Sequence, residues 1–264
     1  MCLPRRRDRV SHRSRVAPCP RPGPVVADDL VLRVATVADL DATALLHCEQ
    51  LPAGFFPDLG PRFMRRWHRA YLDSPQGVAL VAVCRCDDPG HVCAFLFGSI
   101  DESTHMRAVL ADRRRLLSLA VVAAVSLLRH PPLAARFVRT RATPWTRRLI
   151  GTLTSQPAAP SGVDSTPVAV LAAIAVHPSL RGSGAGARLV ELFLNHAHEG
   201  GTATAELVTS AGSDGAGEFY ERMGWIPGRE SRTRDGEKVR SYRHPTASPA
   251  RRDTFRDERE ADPR

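Results

Sequence analysis

An apolar run, a basic glycine-rich loop and a helical pattern follow one another without a break over residues 172–198. The apolar run ends at His177-Pro178, and three glycines stand in the loop before the helical pattern begins. The first N–H groups of a helix have no intrahelical partner and lie at the positive end of the helix dipole, so they bind anions. This order of elements therefore predicts a cradle for a phosphate group.

The loop itself reads Arg181-Gly182-Ser183-Gly184-Ala185-Gly186. It is not the dinucleotide fingerprint, whose first glycine would occupy the position of Arg181, and it is not a P-loop, because no Gly-Lys-Ser/Thr closes it. The residues fit the form Arg/Gln-x-x-Gly-x-Gly/Ala behind an Ile-Ala-Val-x-Pro strand end. In this the segment resembles the acetyl-CoA signature of the GNAT acetyltransferase superfamily.

A second motif follows over residues 213–225. It resembles the other signature of that superfamily, Asn-x-x-Ala-x-x-Phe-Tyr followed by a short turn to Gly-Phe or Gly-Trp. Ser213 stands where the family commonly has Asn, which weakens one expected hydrogen bond to the pantetheine region. The residues that fit are Ala216, Phe219, Tyr220, Gly224 and Trp225. Two signatures in the correct order are more specific than either alone.

The strand and helix patterns agree with the fold that this resemblance implies. We expect an α/β fold with a mixed, mostly antiparallel GNAT-like sheet flanked by helices, a parallel central strand pair and a helical insert. Val168 to Val176 is a continuous apolar run and predicts a central strand buried on both faces. A helix joins it to a strand over 202–209, so these two strands should be parallel. Asp235-Gly236 predicts a final hairpin turn.

The domain limits follow from composition. Residues 29–244 are predicted to form one GNAT-like acyltransferase domain, with a helical insert and linker at 103–166. Residues 245–264 read as a charged, disordered tail. Residues 1–28 are rich in proline and arginine, which is typical of a disordered tail or of an over-extended start of the reading frame.

The net charge of +9 does not indicate nucleic-acid binding. Much of the excess lies in the first 24 residues, and those arginines have no aromatic residues between them. The 6 cysteines include no Cys-x-x-Cys pair, so we expect reduced thiols and no metal site. The N-terminal arginines are not followed by an apolar stretch, which argues against a secretory signal and for a cytoplasmic protein.

The insert contains an uncharged run at 116–128 with arginines on both sides. A bilayer-spanning helix needs about 20 apolar residues, so this run is too short to cross, and a buried helix is the first interpretation. The alternative is a helix that lies on an anionic membrane surface or on an acidic partner, because basic residues continue along the whole segment 113–148. In that case the protein would be peripheral to the membrane.

The resemblance implies acetyl-CoA, or another acyl-CoA, as the acyl donor. Its pyrophosphate would lie on the N–H groups of 183–186 and its pantetheine arm beside the central strand. The residues implied in donor binding are Val176, Arg181, Gly182, Ser183, Gly184, Ala185, Gly186, Ser213, Ala216 and Phe219. Arg181 has the alternative role of a solvent-facing charge at the helix entry. The acceptor would be a small-molecule or peptide amine, and the aromatic residues of 51–72 either line its pocket or belong to the core.

The reaction implied is direct attack of a primary amine on the thioester. The backbone N–H of Ala175 or Val176 would stabilise the oxyanion, and Tyr220 would protonate the leaving thiolate unless it is a core aromatic. The central strand carries no carboxylate, so the base is not apparent. The candidates are Glu206, Asp101, Glu102, Glu49, His177 and a positioned water. A catalytically silent acyl-CoA-binding or partner-binding module is therefore the alternative function.

Overall fold

The structure is a computed structural model that describes residues 30–52, 54–84, 91–142, 166–212 and 216–247. The predicted N-terminal tail, residues 143–165 of the predicted insert and linker, and the chain beyond 247 lie outside these ranges. Ser213 also lies outside them. The two tails and the linker therefore stay predictions.

The described residues form a seven-stranded sheet in the order β1-β2-β3-β4-β5-β7-β6. Every neighbouring pair is antiparallel except β4 and β5, which are parallel. The predicted fold class, a mixed sheet with one parallel central pair, is confirmed. The strands are β1 (Leu30–Val34), β2 (Gly77–Cys84), β3 (Val92–Ser99), β4 (Val168–Val176), β5 (Thr204–Ser210), β6 (Ile226–Arg232) and β7 (Lys238–Pro245).

The helices lie on both faces of this sheet. They are α1 (Leu40–Gln50), α2 (Phe55–Asp58), α3 (Pro61–Asp73), α4 (Glu102–Ala111), α5 (Arg113–Arg129), α6 (Pro131–Phe137), α7 (Ala185–Glu199) and α8 (Gly217–Arg222). Short turns of tighter or wider helix occupy Val37–Asp39, Val138–Ala142 and Pro178–Leu180.

Strands β2 and β3 are apolar throughout because both of their faces are covered. In β2, Leu80 and Ala82 belong to the core under α7, whereas Val81 and Val83 belong to the core under α1 and α3. Successive side chains of a strand point to opposite faces, so each run supplies both cores at once. The aromatic Phe95 of β3 packs on the α1 and α3 side.

Strands β4 and β5 separate halfway along their length. They pair in parallel only from Val168 with Thr204 to Leu171 with Leu207. Beyond that point β4 continues along β3, and β5 continues along β7 as far as Ser210. A wedge-shaped opening therefore lies between two strands that are neighbours at their other end.

A bulge in the β3–β4 pairing marks the place where this separation begins. Phe97 is opposite Ala173 and Gly98 is opposite Leu171, so Ala172 is the extra residue of β4. Ala172 is exposed, and Ala173 and Ile174 are only half-buried. The prediction that β4 is buried on both faces is therefore wrong at Ala172, where the pairing with β5 has ended, whereas Ala175 further along is buried.

Helix α5 also differs from the first interpretation of the insert. Its inner face packs on α3, where Leu119 joins the cluster of Phe63 and Met64, and Arg66 Nε donates to Ser118 Oγ at 2.8 Å. Its other face is open, with Leu117 66% and Val121 52% exposed. The expectation of a fully buried helix is therefore wrong. Helix α5 packs on α3 through one face only, and its opposite face is exposed. None of the described helices has both the length and the apolar content needed to cross a bilayer.

We expect Gly98→Ala to lower the free energy of unfolding by about 1–3 kcal/mol, as is typical of overpacking. A Cβ at Gly98 would lie 2.6 Å from the Val170 carbonyl oxygen and 2.7 Å from the Phe193 ring, at the bulge itself. Chemical denaturation of the two proteins measures the difference.

The matched control is Gly186→Ala, where the nearest atom to the new Cβ lies at an ordinary 3.5 Å. Since alanine favours a helix over glycine by up to about 1 kcal/mol, this variant should be as stable as the parent or more stable. Equal unfolding midpoints for Gly98→Ala and the parent would contradict the expectation.

Candidate functional site

The glycine-rich loop leads directly into α7. Gly182 and Gly184 have φ angles of 85° and 84°, a conformation that side chains rarely adopt, and Gly184 is the N-cap of the helix. The first bond of α7 runs from Arg188 N–H to the Gly184 carbonyl at 3.1 Å. The N–H groups of residues 185–187 therefore have no intrahelical acceptor, although that of Ala185 also donates to Ser183 Oγ at 3.4 Å. This is the predicted anion-binding geometry.

The two sequence motifs meet at Gly186. A Cβ at this position would lie 3.5 Å from Val176 Cγ2 and 3.6 Å from Phe219 Cζ. The end of β4, the start of α7 and the helix α8 therefore come together within van der Waals contact. Ala216 is the N-cap of α8, and its carbonyl accepts from the Tyr220 N–H at 3.1 Å.

Tyr220 lies one residue beyond Phe219 and is 3% exposed. Its ring centroid is 5.1 Å from that of Phe219, 5.7 Å from that of Trp225 and 5.9 Å from that of Tyr242. Burial raises the pKa of Tyr220, so its hydroxyl keeps its proton at neutral pH. Its burial among these rings makes it a core aromatic, and its role as the proton donor stays a prediction.

Other predicted site residues lie around the wedge. Arg181 is exposed and donates to Gln50 Oε1 of α1 at 2.9 Å, which ties the loop to the first helix. Ala175 and Val176 lie on the separated half of β4, opposite Phe95 and Ala94 of β3. Their role at the oxyanion stays a prediction.

Three of the candidate bases are held in structural bonds. Glu206 accepts from Arg243 Nε at 2.7 Å across the β5–β7 pair. Asp101 caps α4 by accepting from the N–H groups of residues 103 and 104. His177 caps the turn Pro178–Leu180, because its Nδ1 lies 2.7 Å from Ser179 Oγ. Each of these groups has a hydrogen-bond partner among the described residues.

The two remaining candidates differ in burial. Glu102 accepts from Ser99 Oγ at 2.6 Å, and burial raises the pKa of its carboxyl group. Its charge acts on Tyr71, whose pKa rises mainly because the phenol is buried and additionally because Glu102 is near. Glu49 is exposed at the end of α1.

A cavity of about 290 Å³ lies between α1, α2, α3 and β4. Its floor is formed by Ala172 and Ala173, the residues at the β4 bulge. Its walls are largely aromatic, and they comprise Phe55, Phe56, Trp67, Tyr71 and Phe97. The expectation that the aromatic residues of 51–72 line a pocket next to the central strand therefore agrees with the structure, although some of them, such as Phe55, are also core residues.

Two histidines that the sequence analysis did not single out complete this cavity. His47 of α1 and His68 of α3 both line it, and His47 Nδ1 lies 3.0 Å from His68 Nε2. The other ring nitrogen of His68 lies 3.1 Å from Thr43 Oγ1. The two histidines are 21 residues apart in different helices, and no sequence spacing connects them. Only the packing of α1 on α3 places them together.

Burial keeps both histidines uncharged. It lowers the pKa of His47 to about 4. The pKa of His68 is lowered as well, chiefly by burial and further by its neighbour His47. His47 stacks on Phe95 at 5.6 Å and His68 on Phe97 at 4.2 Å, so apolar rings take the place of water around them.

Residues 126–225 match the sequence model of the Acetyltransferase (GNAT) family. This part of the chain is therefore similar to the GNAT acetyltransferases. The matched range begins within α5 and ends at Trp225, so it contains both motifs. The recognition made from residues 181–186 and 213–225 is confirmed. No curated protein matches the chain significantly in sequence.

Solved structures share the GNAT fold at low identity. The structure of SsHAT is 19% identical with a TM-score of 0.51, and the match covers 83% of this chain and 100% of that one. Ard1 from Thermoplasma volcanium is 13% identical with a TM-score of 0.50, covering 83% and 99%. The ribosomal-protein-S18-alanine N-acetyltransferase of Escherichia coli is 14% identical with a TM-score of 0.48, covering 84% and 97%. Identities at this level show the fold alone.

Within the described ranges, no group of three or more His, Cys, Asp or Glu side chains could hold a metal ion. Among the described residues, no third His, Cys, Asp or Glu side chain joins His47 and His68 to form such a group. Their bond to each other and the bond to Thr43 occupy three of their four ring nitrogens.

We expect the free energy of unfolding to fall as the pH decreases from 6.5 to 4. The unfolded chain takes up a proton on His47 near pH 6.5, whereas the folded chain takes it up only near pH 4, so the unfolded state binds more protons in this window. The loss due to His47 is on the order of 3 kcal/mol. Urea unfolding at several pH values measures it.

His47→Gln should reduce this pH dependence, because the side-chain amide does not titrate. The control is His198→Gln, which replaces an exposed histidine at the end of α7 and should leave the pH dependence unchanged. A His47→Gln variant with the full pH dependence of the parent would show that His47 does not cause it.

Proposed function

We propose that this protein is an N-acetyltransferase that transfers an acetyl group from acetyl-CoA to a primary amine by direct attack on the thioester. The observation that carries the proposal is the convergence at Gly186 of Val176 and Phe219, whose side chains would lie within 3.6 Å of a Cβ at that position. It brings the open end of α7, the separated half of β4 and the helix with Tyr220 to one place. The family match supports acyl transfer to amines in general.

The donor would bind along the wedge between β4 and β5. The pyrophosphate would accept from the N–H groups at the start of α7, where the helix dipole favours negative charge. Within the described residues, a Cβ at Gly182 or Gly184 would meet no atom within 4 Å, so the loop has open space before it. Val176, Ala185, Ala216 and Phe219 would border the pantetheine arm, and Arg181 and Ser183 would add polar contacts to the phosphates. Ser213 belongs to this set by its place in the second motif.

The chemistry needs an oxyanion donor and an acid. We assign the first to a backbone N–H of Ala175 or Val176, because this half of β4 has no partner strand on the β5 side. We assign the second to Tyr220, which is protonated at neutral pH and packs against Phe219. The acceptor amine would approach from the aromatic cavity, whose floor is the bulge of β4. We place this activity in the cytoplasm, on the pattern of the cysteines.

We expect Tyr220→Phe to lower kcat by about 10²-fold, the usual contribution of a general acid, while the Kd for CoA changes little. The assay follows CoA release from acetyl-CoA with a panel of amines. Tyr242→Phe is the matched control, because it removes a phenol hydroxyl from the adjacent ring, one that donates to Glu221 at 3.1 Å. Unchanged kcat in Tyr220→Phe would assign Tyr220 to the core instead.

The same assay separates the enzyme from the catalytically silent module. An enzyme releases CoA in an amine-dependent manner. A silent module binds CoA, as isothermal titration calorimetry would show, and releases none with any amine of the panel. That second result would overturn the proposed activity and retain the donor site.

We also propose that α5 binds an anionic membrane surface. Its outer face presents Leu117, Val121, Val125 and Leu128 in one exposed stripe that begins at Arg113-Arg114 and ends at Arg129. Asp112 is the single acidic residue of 103–142, against eight arginines in the same segment. An apolar stripe between basic ends is the composition that binds anionic lipid.

We expect the protein to sediment at low salt with vesicles of phosphatidylcholine and phosphatidylserine in equal parts, and not with phosphatidylcholine alone. Leu117→Gln combined with Val121→Gln should weaken binding by at least about tenfold, since each buried CH₂ contributes about 0.8 kcal/mol. The control combines Val208→Gln with Ile226→Gln, which are equally exposed but lie on the sheet. Equal loss in both variants, or binding to neutral vesicles, would contradict the proposal.

A further inference from the structure

We propose that the aromatic cavity selects an amine whose nitrogen is uncharged at neutral pH and carries an apolar, ring-sized group. We further propose that His47, oriented by His68, is the base that accepts the proton from this nitrogen. The inference rests on the proposed acetyltransferase function and adds to it the acceptor class and the base. It depends on the cavity and on the hydrogen-bonded chain Thr43–His68–His47.

The size and lining of the cavity define the acceptor class. A dry cavity of about 150 Å³ holds benzene, so about 290 Å³ holds one ring with substituents or two fused rings. Among the described residues that line it, none carries a carboxylate, an ammonium or a guanidinium group. An alkylammonium group would lose its water there without gaining a counter-ion, which is strongly unfavourable.

Three acidic side chains on the elements around the cavity are bonded to other groups. Asp39 pairs with Arg33 at 2.7 Å, and Asp58 pairs with Arg136 at 2.5 Å. Glu102 accepts from Ser99 Oγ, and its charge raises the pKa of Tyr71, a residue of the cavity wall. A polycationic acceptor would therefore find no anionic group in this wall.

The hydrogen-bonded chain leaves one nitrogen as an acceptor. Thr43 Oγ1 lies 3.1 Å from the Leu40 carbonyl oxygen, to which its hydroxyl can donate. With the proton placed there, His68 Nδ1 donates to Thr43 Oγ1, and His47 Nδ1 donates to His68 Nε2. His47 Nε2 then carries a lone pair. Because His68 fixes the tautomer and the ring of His47, it is a positioning residue and His47 is the base.

The proposed step is balanced as follows. The lone pair of the amine nitrogen forms the new N–C bond, the thioester C–S bond breaks, and the nitrogen loses a proton to His47 Nε2. The leaving thiolate takes up a proton from Tyr220 or from water. His47 releases its proton to water, and Tyr220, where it was the donor, regains its proton from water. The sum is amine plus acetyl-CoA giving amide plus CoA thiol.

The buried position of His47 suits a weakly basic nitrogen. An alkylammonium has a pKa of about 10, and transfer of its proton to a group with a pKa of about 4 is unfavourable by about six orders of magnitude. An aromatic amine is uncharged at pH 7, so no such transfer precedes its attack. Its nitrogen becomes acidic only as the N–C bond forms, when His47 can accept the proton.

Aniline and cyclohexylamine form a matched pair of probes, because both carry one six-membered ring and only the second is protonated at pH 7. We expect kcat/KM for aniline to exceed that for cyclohexylamine by at least about tenfold, and spermidine to be a poorer acceptor than either. Acetanilide, the product from aniline, should bind the CoA-loaded protein in calorimetry, a result that needs no turnover.

His47→Gln should lower kcat for aniline by about 10²-fold with little change in KM. His68→Gln should retain most of the activity, because its amide oxygen can still accept from His47 Nδ1, whereas His68→Leu should lose it. The control is His105→Gln, which replaces another buried histidine that contacts Tyr71 but is not among the residues lining the cavity. Thermal unfolding and the Kd for CoA, measured for every variant, separate a lost base from a lost fold.

The outcomes distinguish this inference from the function beneath it. Preference for spermidine or cyclohexylamine, no binding of acetanilide, or parental kcat in His47→Gln overturns the inference while the acetyltransferase stands. CoA binding without turnover of any amine overturns both. Preference for aniline together with rescue by His68→Gln and loss in His68→Leu supports it.

Discussion

The separation of β4 from β5 after Leu171 and Leu207 is the constraint on which the rest of the site depends. Two parallel neighbours in a sheet normally stay hydrogen-bonded along their length. Here β5 follows β7 instead, and β4 follows β3 across a bulge at Ala172. The backbone of the outer half of β4 is thereby left beside an opening in the middle of the domain, with the start of α7 on one side and the aromatic cavity on the other.

The two sides of this opening differ in their electrostatics. The side of α7 presents backbone N–H groups and Arg181, which favours negative charge. The side of α1 and α3 presents aromatic rings and two histidines that burial holds uncharged. In the proposed reaction, a charged donor and an uncharged acceptor would therefore approach the same strand from opposite directions. Because the described residues of the cavity wall include two uncharged histidines and no carboxylate, this asymmetry favours a buried neutral group as the base.

The insert packs on the helices of the domain through one face, and the opposite face of its helix α5 is exposed. Leu119 and Ser118 of α5 hold it against α3, and Arg136 of α6 bonds both Asp58 and Asp235, which ties the insert to α2 and to the turn between β6 and β7. These contacts support the helices that carry the cavity walls. The opposite face of α5 is apolar and exposed, so the insert links the helices around the cavity to a surface suited to an anionic partner.

The resemblance to the GNAT family, the glycine-rich start of α7 and the order of the strands beside it could be predicted from the sequence, because short-range patterns encode them. The positive-φ glycines, the helix start and the apolar run are local properties of residues 172–198. Phe219 and Tyr220 belong to a second motif whose spacing is also visible in the sequence. The sequence-based prediction was wrong about the burial of β4 and α5, since burial depends on what lies opposite. The paired histidines were missed for the same reason: His47 and His68 become a hydrogen-bonded pair only when α1 packs on α3. Tertiary packing alone decided the acceptor side, because a pocket between separate helices has no local signal in the chain.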